Sequence, residues 1–339
     1  MVKCLKISAC LLGAIIGAGF ASGREIVAFF TVSGLNFLSA LICCLVSFLF
    51  CFVFLRVGSI AKGKTLIEVN KIISPKFSPL FSVAIILNSF IVLSAMAAGV
   101  TEIGNDLCGF GFILTAVVFV IVSGLSSKGR KGVLKGGLIL VLLMVALVLF
   151  IGINGGAFKV EFSTLSVKPT RVILYVAMNM LLAAGVSVVN NNLTAKQCFF
   201  VAALTSVAIG VLAYILATVI RRNGVSESEM PILDLAFRMG KVEYYAAVLL
   251  LLLSIITTML TCLCDVVEFL DGYISCRALS IFVTLSISLI VSLIGFSDVI
   301  ALFYPVIGII GVLYFALCFV KLFSPAFYKL FHKRNREVH

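Results

Sequence analysis

Long apolar runs, separated by short polar and mostly basic segments, make up nearly the whole chain. They fall at about 7–31, 34–55, 78–101, 110–124, 132–153, 171–190, 197–220, 244–264, 278–296 and 299–323. Most reach the ~20 residues that carry a helix across ~30 Å of hydrocarbon at 1.5 Å per residue. The runs are too long for barrel strands and do not alternate polar with apolar. The pattern predicts an all-α integral membrane protein with ten transmembrane helices. Lys3 and Lys6 precede an apolar stretch that ends in small residues, as in a secretory leader, but apolar character resumes at IVAFF, where a cleavable segment would stop.

Within the first run the pattern is interrupted. IIGAGFAS (15–22) is followed at once by GREI, so Gly17, Gly19 and Gly23 precede or flank an arginine and a glutamate. A continuous helix over 5–32 would be ~42 Å long with the glycines near its middle, where each costs ~1 kcal/mol. Close packing of small-x-x-x-small pairs, Gly13 with Gly17 and Gly19 with Gly23, is one reading. The other is a true break, because Ser22 and Glu25 have the S-x-x-E spacing of a capping box that starts a helix anew. A helix start at mid-membrane would suit an anion such as a carboxylate, and the carbonyls ending the preceding half would suit a cation. Glu25 then has a capping role, whereas Arg24 needs a water-filled vestibule or an acid. Asp298, which starts the tenth run, is the expected partner in an outer gate.

The chain aligns with itself at an offset of 166 residues. IIGAG (15–19) meets LLAAG (181–185), so Gly19 falls on Gly185; Arg56 falls on Arg222, TLIEV (65–69) on PILDL (231–235), and Glu102 on Glu268. This divides the sequence into two five-helix units, 1–165 and 166–330, followed by a basic tail, 331–339. Because five is odd, the second unit enters the membrane from the opposite side. That is the inverted-repeat construction of secondary transporters, whose sites lie where the first helix of each repeat is broken. In the sixth run Asn179 and Ser187 flank Ala183, Ala184 and Gly185, which places a second break there.

Composition adds to this picture without changing it. Of 339 residues, 62% are hydrophobic and 12% charged, and the mean hydropathy is +1.26. Lys and Arg are less than half as numerous on one side of the predicted topology as on the other, which puts both termini in the cytoplasm. The net charge of +12 is accounted for by anionic headgroups, so no nucleic-acid partner is called for. Most of the 11 cysteines lie inside the runs, and Cys108 near the outer face has no obvious partner. Cys262 and Cys264, two positions apart on a helix, point ~200° away from each other and make a poor metal pair.

Other polar groups sit inside apolar runs. Ser254, Thr258 and Thr261 share one face of the eighth run with Thr257 beside them, as hard oxygen donors for Na⁺ or as hydroxyls bonded to the carbonyl one turn back. Asn88, Ser89 and Ser94 lie in the third run, with Asn88 a candidate for solute binding. Lys135 at the cytoplasmic start of the fifth fits an interfacial residue. The only histidines, His332 and His339, are in the tail, there is no phosphate-binding loop, and Asp265, Glu268 and Asp271 are expected to cap the inner end of the eighth helix. The chain is not read as an enzyme and no cofactor is expected beyond a coupling ion.

The stretch GAIIGAGFASGREI resembles the first-helix signature of the YkvI family of bacterial membrane proteins, within the amino acid-polyamine-organocation superfamily of LeuT-like fold. The specific part is GAGFASG-x-E; the rest of the likeness lies in the number and length of the spans. The resemblance implies alternating access, with solute held by Gly17, Ala18, Gly19, Phe20, Ala21 and Ser22 of the first helix and Ala183, Ala184, Gly185 and Ser187 of the sixth. In sodium-coupled relatives a cation site joins first-helix carbonyls to eighth-helix hydroxyls, here Ile16, Gly17, Gly19, Thr257, Thr258 and Thr261; in proton-coupled relatives a fifth-helix lysine, here Lys135, takes its place. The expected function is secondary active transport, across the cell membrane, of a small zwitterionic, amino acid-like solute coupled to Na⁺ or H⁺. The alternative is a ligand sensor on the same fold, similar to transporter-like subunits of spore germinant receptors.

Overall fold

A computed structural model of the protein describes residues 2–30, 37–61, 65–127, 130–157, 168–185, 193–228, 230–294 and 296–324. Among these there are helices and no strands. In chain order they are α1 (Val2–Ile15), α2 (Ala18–Ala21), α3 (Arg24–Phe29), α4 (Phe37–Ala61), α5 (Leu66–Ile73), α6 (Ser78–Cys108), α7 (Gly111–Ser126), α8 (Arg130–Asn154), α9 (Pro169–Leu182), α10 (Ala195–Arg222), α11 (Pro231–Met239), α12 (Lys241–Leu270), α13 (Arg277–Ser292) and α14 (Phe296–Leu322). Each predicted apolar run overlaps one of them, except the first, which is divided among three. Four helices, within α4, α6, α10 and α12, are long and apolar enough to cross a membrane by length and composition, and five shorter apolar helices accompany them among the described residues.

Local signals explain the boundaries. Thr65 accepts the Glu68 N–H to start α5, and Thr194 with Gln197 forms a reciprocal capping box at α10. Proline stands in the first turn of α6, α9 and α11, where its missing N–H costs nothing. α5 and α11 are short and two-faced, burying Leu66, Val69 and Ile73 in one case and Ile232, Leu235 and Ala236 in the other.

Helix boundaries recur at the sequence offset. α7 and α13 are 166 residues apart at both ends, since 277 − 111 and 292 − 126 give the same value. Packing recurs too: α1 against α8 and α9 against α14, α1 against α10 and α4 against α9, α6 against α13 and α7 against α12. Two further large contacts, α4 with α10 and α6 with α12, join corresponding helices of the two halves. Exchanging the halves therefore leaves this pattern unchanged. α12 lies deepest of the four long helices: 83% of its most apolar stretch is buried, against 50–61% for α4, α6 and α10.

Candidate functional site

The first run breaks twice. α1 ends at Ile15, where the Gly17 N–H turns back to the Ile15 carbonyl at 2.9 Å instead of reaching Gly13. A single turn, α2, follows, so the stretch from Gly17 to Ser22 is not wholly unwound. The second break is at Ser22 and Gly23. Gly23 takes φ +85°, where an L side chain is strained, and it also abuts Ile220, Pro231 and Ile232. The expected capping box is absent: the Ser22 hydroxyl donates to the Gly19 carbonyl at 3.2 Å and accepts the Arg24 N–H at 3.3 Å, and no side chain caps α3. With Gly23 in the left-handed region the Ser22 oxygen meets the first N–H of the helix, not the third. Glu25, 3% exposed, folds back over Gly19, where a Cβ would stand 2.7 Å from its Cδ.

The sixth run is interrupted where the offset places it. α9 stops at Leu182, the Ala183 N–H is taken by the carbonyls of Asn179 and Leu181, and helical geometry resumes at Ala184 and Gly185. Asp265 lies over Gly185 as Glu25 lies over Gly19: a Cβ there would stand 2.9 Å from the Asp265 Cγ. This corrects the expectation that Asp265 caps α12. The helix continues to Leu270, Asp265 is 5% exposed, and its Oδ2 accepts from the Ser89 hydroxyl at 3.4 Å. Asp271 is the residue at the helix end, paired with Arg277 at 2.7 Å. Ser187 falls outside the described residues, as do the side chains of Ala18, Cys108, Lys135 and Asp298.

Between the breaks is a small cavity of about 10 Å³ lined by Gly17, Glu25, Asn88, Asn179 and Thr258, with Met96 and Met178 among its apolar walls. Asn88 is 2% exposed, and neither atom of its amide has a hydrogen-bond partner. Asn179 donates to the Tyr175 carbonyl at 3.1 Å. Of the eighth-run hydroxyls, Thr258 alone faces the first break: it reaches the Gly13 carbonyl at 3.5 Å, and a Cβ on Gly17 would stand 3.2 Å from its Oγ1. Thr257 and Thr261 donate within their own helix, to Ser254 and Thr257 carbonyls, and line a second small cavity, of about 10 Å³, with Gly13 and Val141. Tyr175 covers the end of α3, its ring 5.0 Å from Phe30 and 5.6 Å from Phe29. It is the only aromatic residue of the sixth run, a signal the sequence offered and the expectations did not use.

Arg24 leaves the bundle interior and donates to the Ser228 carbonyl at 3.3 Å. Ser228 is on the wall of an open hollow of about 340 Å³ that carries Glu102, Asp106 and Asp234. The Ile232 N–H, at the start of α11, donates to the Ser22 carbonyl at 2.9 Å and pins that loop helix to the second break. Ten cysteines are free, eight of them buried, including Cys262 and Cys264, and the described residues contain no cluster of His, Cys, Asp or Glu able to hold a metal.

No known protein family and no curated protein matches the sequence. Solved structures do match the fold. MhsT in complex with L-phenylalanine superposes with a TM-score of 0.69 at 16% identity, covering 96% of this chain and 94% of that one. A substrate-bound, outward-open Na⁺-coupled sialic acid symporter gives 0.71 at 13% identity over 95% and 79%. A manganese transporter of Eremococcus coleocola gives 0.62 at 14% identity over 95% and 78%. The chain thus has the LeuT-like fold, and these similar structures are of transporters, not enzymes.

Proposed function

We propose that this protein is a secondary active transporter that moves a small zwitterionic, amino acid-like solute by alternating access, driven by Na⁺ or H⁺. The observation that carries the reading is the pair of helix interruptions, at Gly17 and Gly23 and at Ala183, on either side of one buried cavity lined by polar groups. Gly17 to Ser22, Asn88 and Ala183 to Ser187 would hold the solute. The cation would meet carbonyls of Ile16, Gly17 and Gly19 and the hydroxyls of Thr257, Thr258 and Thr261; the approach of Thr258 to the first break supports this more than its two neighbours do. In this reading, residues 1–165 and 166–330 are inverted repeats about an axis in the membrane plane, supported by the exchange of helix contacts. The tail 331–339 and both termini are cytoplasmic. Arg24 and Asp298 would form the outer gate, and the GAGFASG-x-E stretch supports a relation to the YkvI family.

The test is thermal unfolding of the purified protein against a panel of amino acids, amines and metal ions, in Na⁺ and in K⁺ and at two pH values. A solute at 100 times its Kd adds ~2.7 kcal/mol of stability. The expected hit binds more tightly in Na⁺ than in K⁺, or with a clear pH dependence. Equal binding under all four conditions contradicts ion coupling.

A further inference from the structure

Among the described residues, the cavity between the two breaks has one charged group and it is negative. Glu25 comes from the first turn of α3, where a carboxylate already complements the positive end of the helix. With it in the lining are the Asn88 and Asn179 amides and the Thr258 hydroxyl, and no basic residue among the described ones. A buried primary amide that bonds to nothing is costly, and Asn88 has both a donor and an acceptor in that condition while 2% exposed. A ligand in the cavity would satisfy it.

We propose that Glu25 and Asn88 determine specificity by binding the protonated nitrogen of the solute, so that the site selects primary amines and does not require their carboxylate. The inference rests on the transport reading above and adds to it which end of the solute is read by side chains. An ammonium donates to the Glu25 carboxylate and to the Asn88 Oδ1, leaving the Asn88 Nδ2 for an acceptor on the solute or for water. A carboxylate on the same side of the cavity would meet Glu25 as a like charge. At about 10 Å³ the space has room for about one water, so binding a solute requires the helices around it to move apart.

The experiment measures thermal stabilisation of the full chain by alanine, leucine and phenylalanine, by the amine each leaves on loss of its carboxylate, by the acid each leaves on loss of its amine, and by Mn²⁺. Amino acids and amines should stabilise, and the deaminated acids should require concentrations ~10–100-fold higher. In Glu25→Gln and Asn88→Leu the preference for amine over deaminated acid should collapse by a similar factor, whereas general damage would weaken all probes alike. If neither variant folds, the wild-type series decides alone. Deaminated acids that bind as well as amines, or an unchanged preference in both variants, overturns the inference and leaves the transport reading intact; stabilisation by Mn²⁺ alone overturns the inference and the amino acid-like solute of that reading. No shift with any probe overturns both.

Discussion

Replacing Thr258 by valine should separate a hydroxyl that belongs to the break from hydroxyls that belong to the helix. In an unbroken α1 the Gly13 carbonyl would accept the Gly17 N–H, but that N–H turns to Ile15 and the Thr258 hydroxyl stands 3.5 Å from the released oxygen. Thr258 is fully buried. Valine keeps the shape and removes the donor, so the carbonyl loses a partner at a cost of ~1–3 kcal/mol. Thr261→Val is the control: its hydroxyl donates to the Thr257 carbonyl one turn back at 3.1 Å, a bond that adds little to a helix, and the expected change is within ~0.5 kcal/mol. The chain has no tryptophan but many buried free cysteines, so unfolding is followed with a thiol-reactive dye. For a chain of this size the Thr258→Val cost corresponds to a Tm lower by ~1–4 °C. The Tm of the wild type should also rise when Na⁺ replaces K⁺, and that of Thr258→Val should not. Equal losses in the two variants, or an unchanged Tm in Thr258→Val, would refute the reasoning.

Three further outcomes follow from the packing. Gly185→Ala forces a Cβ to within 2.9 Å of the Asp265 carboxyl carbon and should destabilise by ~1–3 kcal/mol, with part of the loss recovered when Asp265→Ala is added; the thiol assay reads both. Tyr314→Phe removes the 2.8 Å bond to the Asn70 Oδ1, whose amide in turn donates to Ser82 at 2.9 Å; a loss of ~1–3 kcal/mol is expected, and smaller than additive when combined with Asn70→Leu. Arg277→Gln breaks the Asp271 pair, but with side chains 30% and 29% exposed the change should stay within ~1 kcal/mol and shrink with added salt.

The sequence made the helices and the places where they break legible, because both are local: apolar runs mark the former, and glycine clustered at mid-membrane together with the 166-residue offset marks the latter. The Ser22 to Glu25 spacing was misleading, since a capping box needs an N-cap in extended geometry and Gly23 supplies a left-handed turn instead. Glu25 over Gly19 and Asp265 over Gly185 were not legible. The second depends on a contact across 80 residues, and in both cases the side chain's direction is set by tertiary packing. Spacing alone placed Thr257, Thr258 and Thr261 together, but only the structure distinguishes the one that meets the released Gly13 carbonyl. Asn88 was legible as a polar residue in an apolar run; that its amide faces the cavity was not.

The central claim is movement of a solute through the cavity between the two breaks, and uptake into proteoliposomes tests it most directly. Radiolabelled solute identified by thermal stabilisation is supplied outside, with an inward Na⁺ gradient in one set and an inward H⁺ gradient in another. The account predicts accumulation above the external concentration in one of the two sets, abolished when that gradient is dissipated. Binding of the same solute with no flux under either gradient would contradict it.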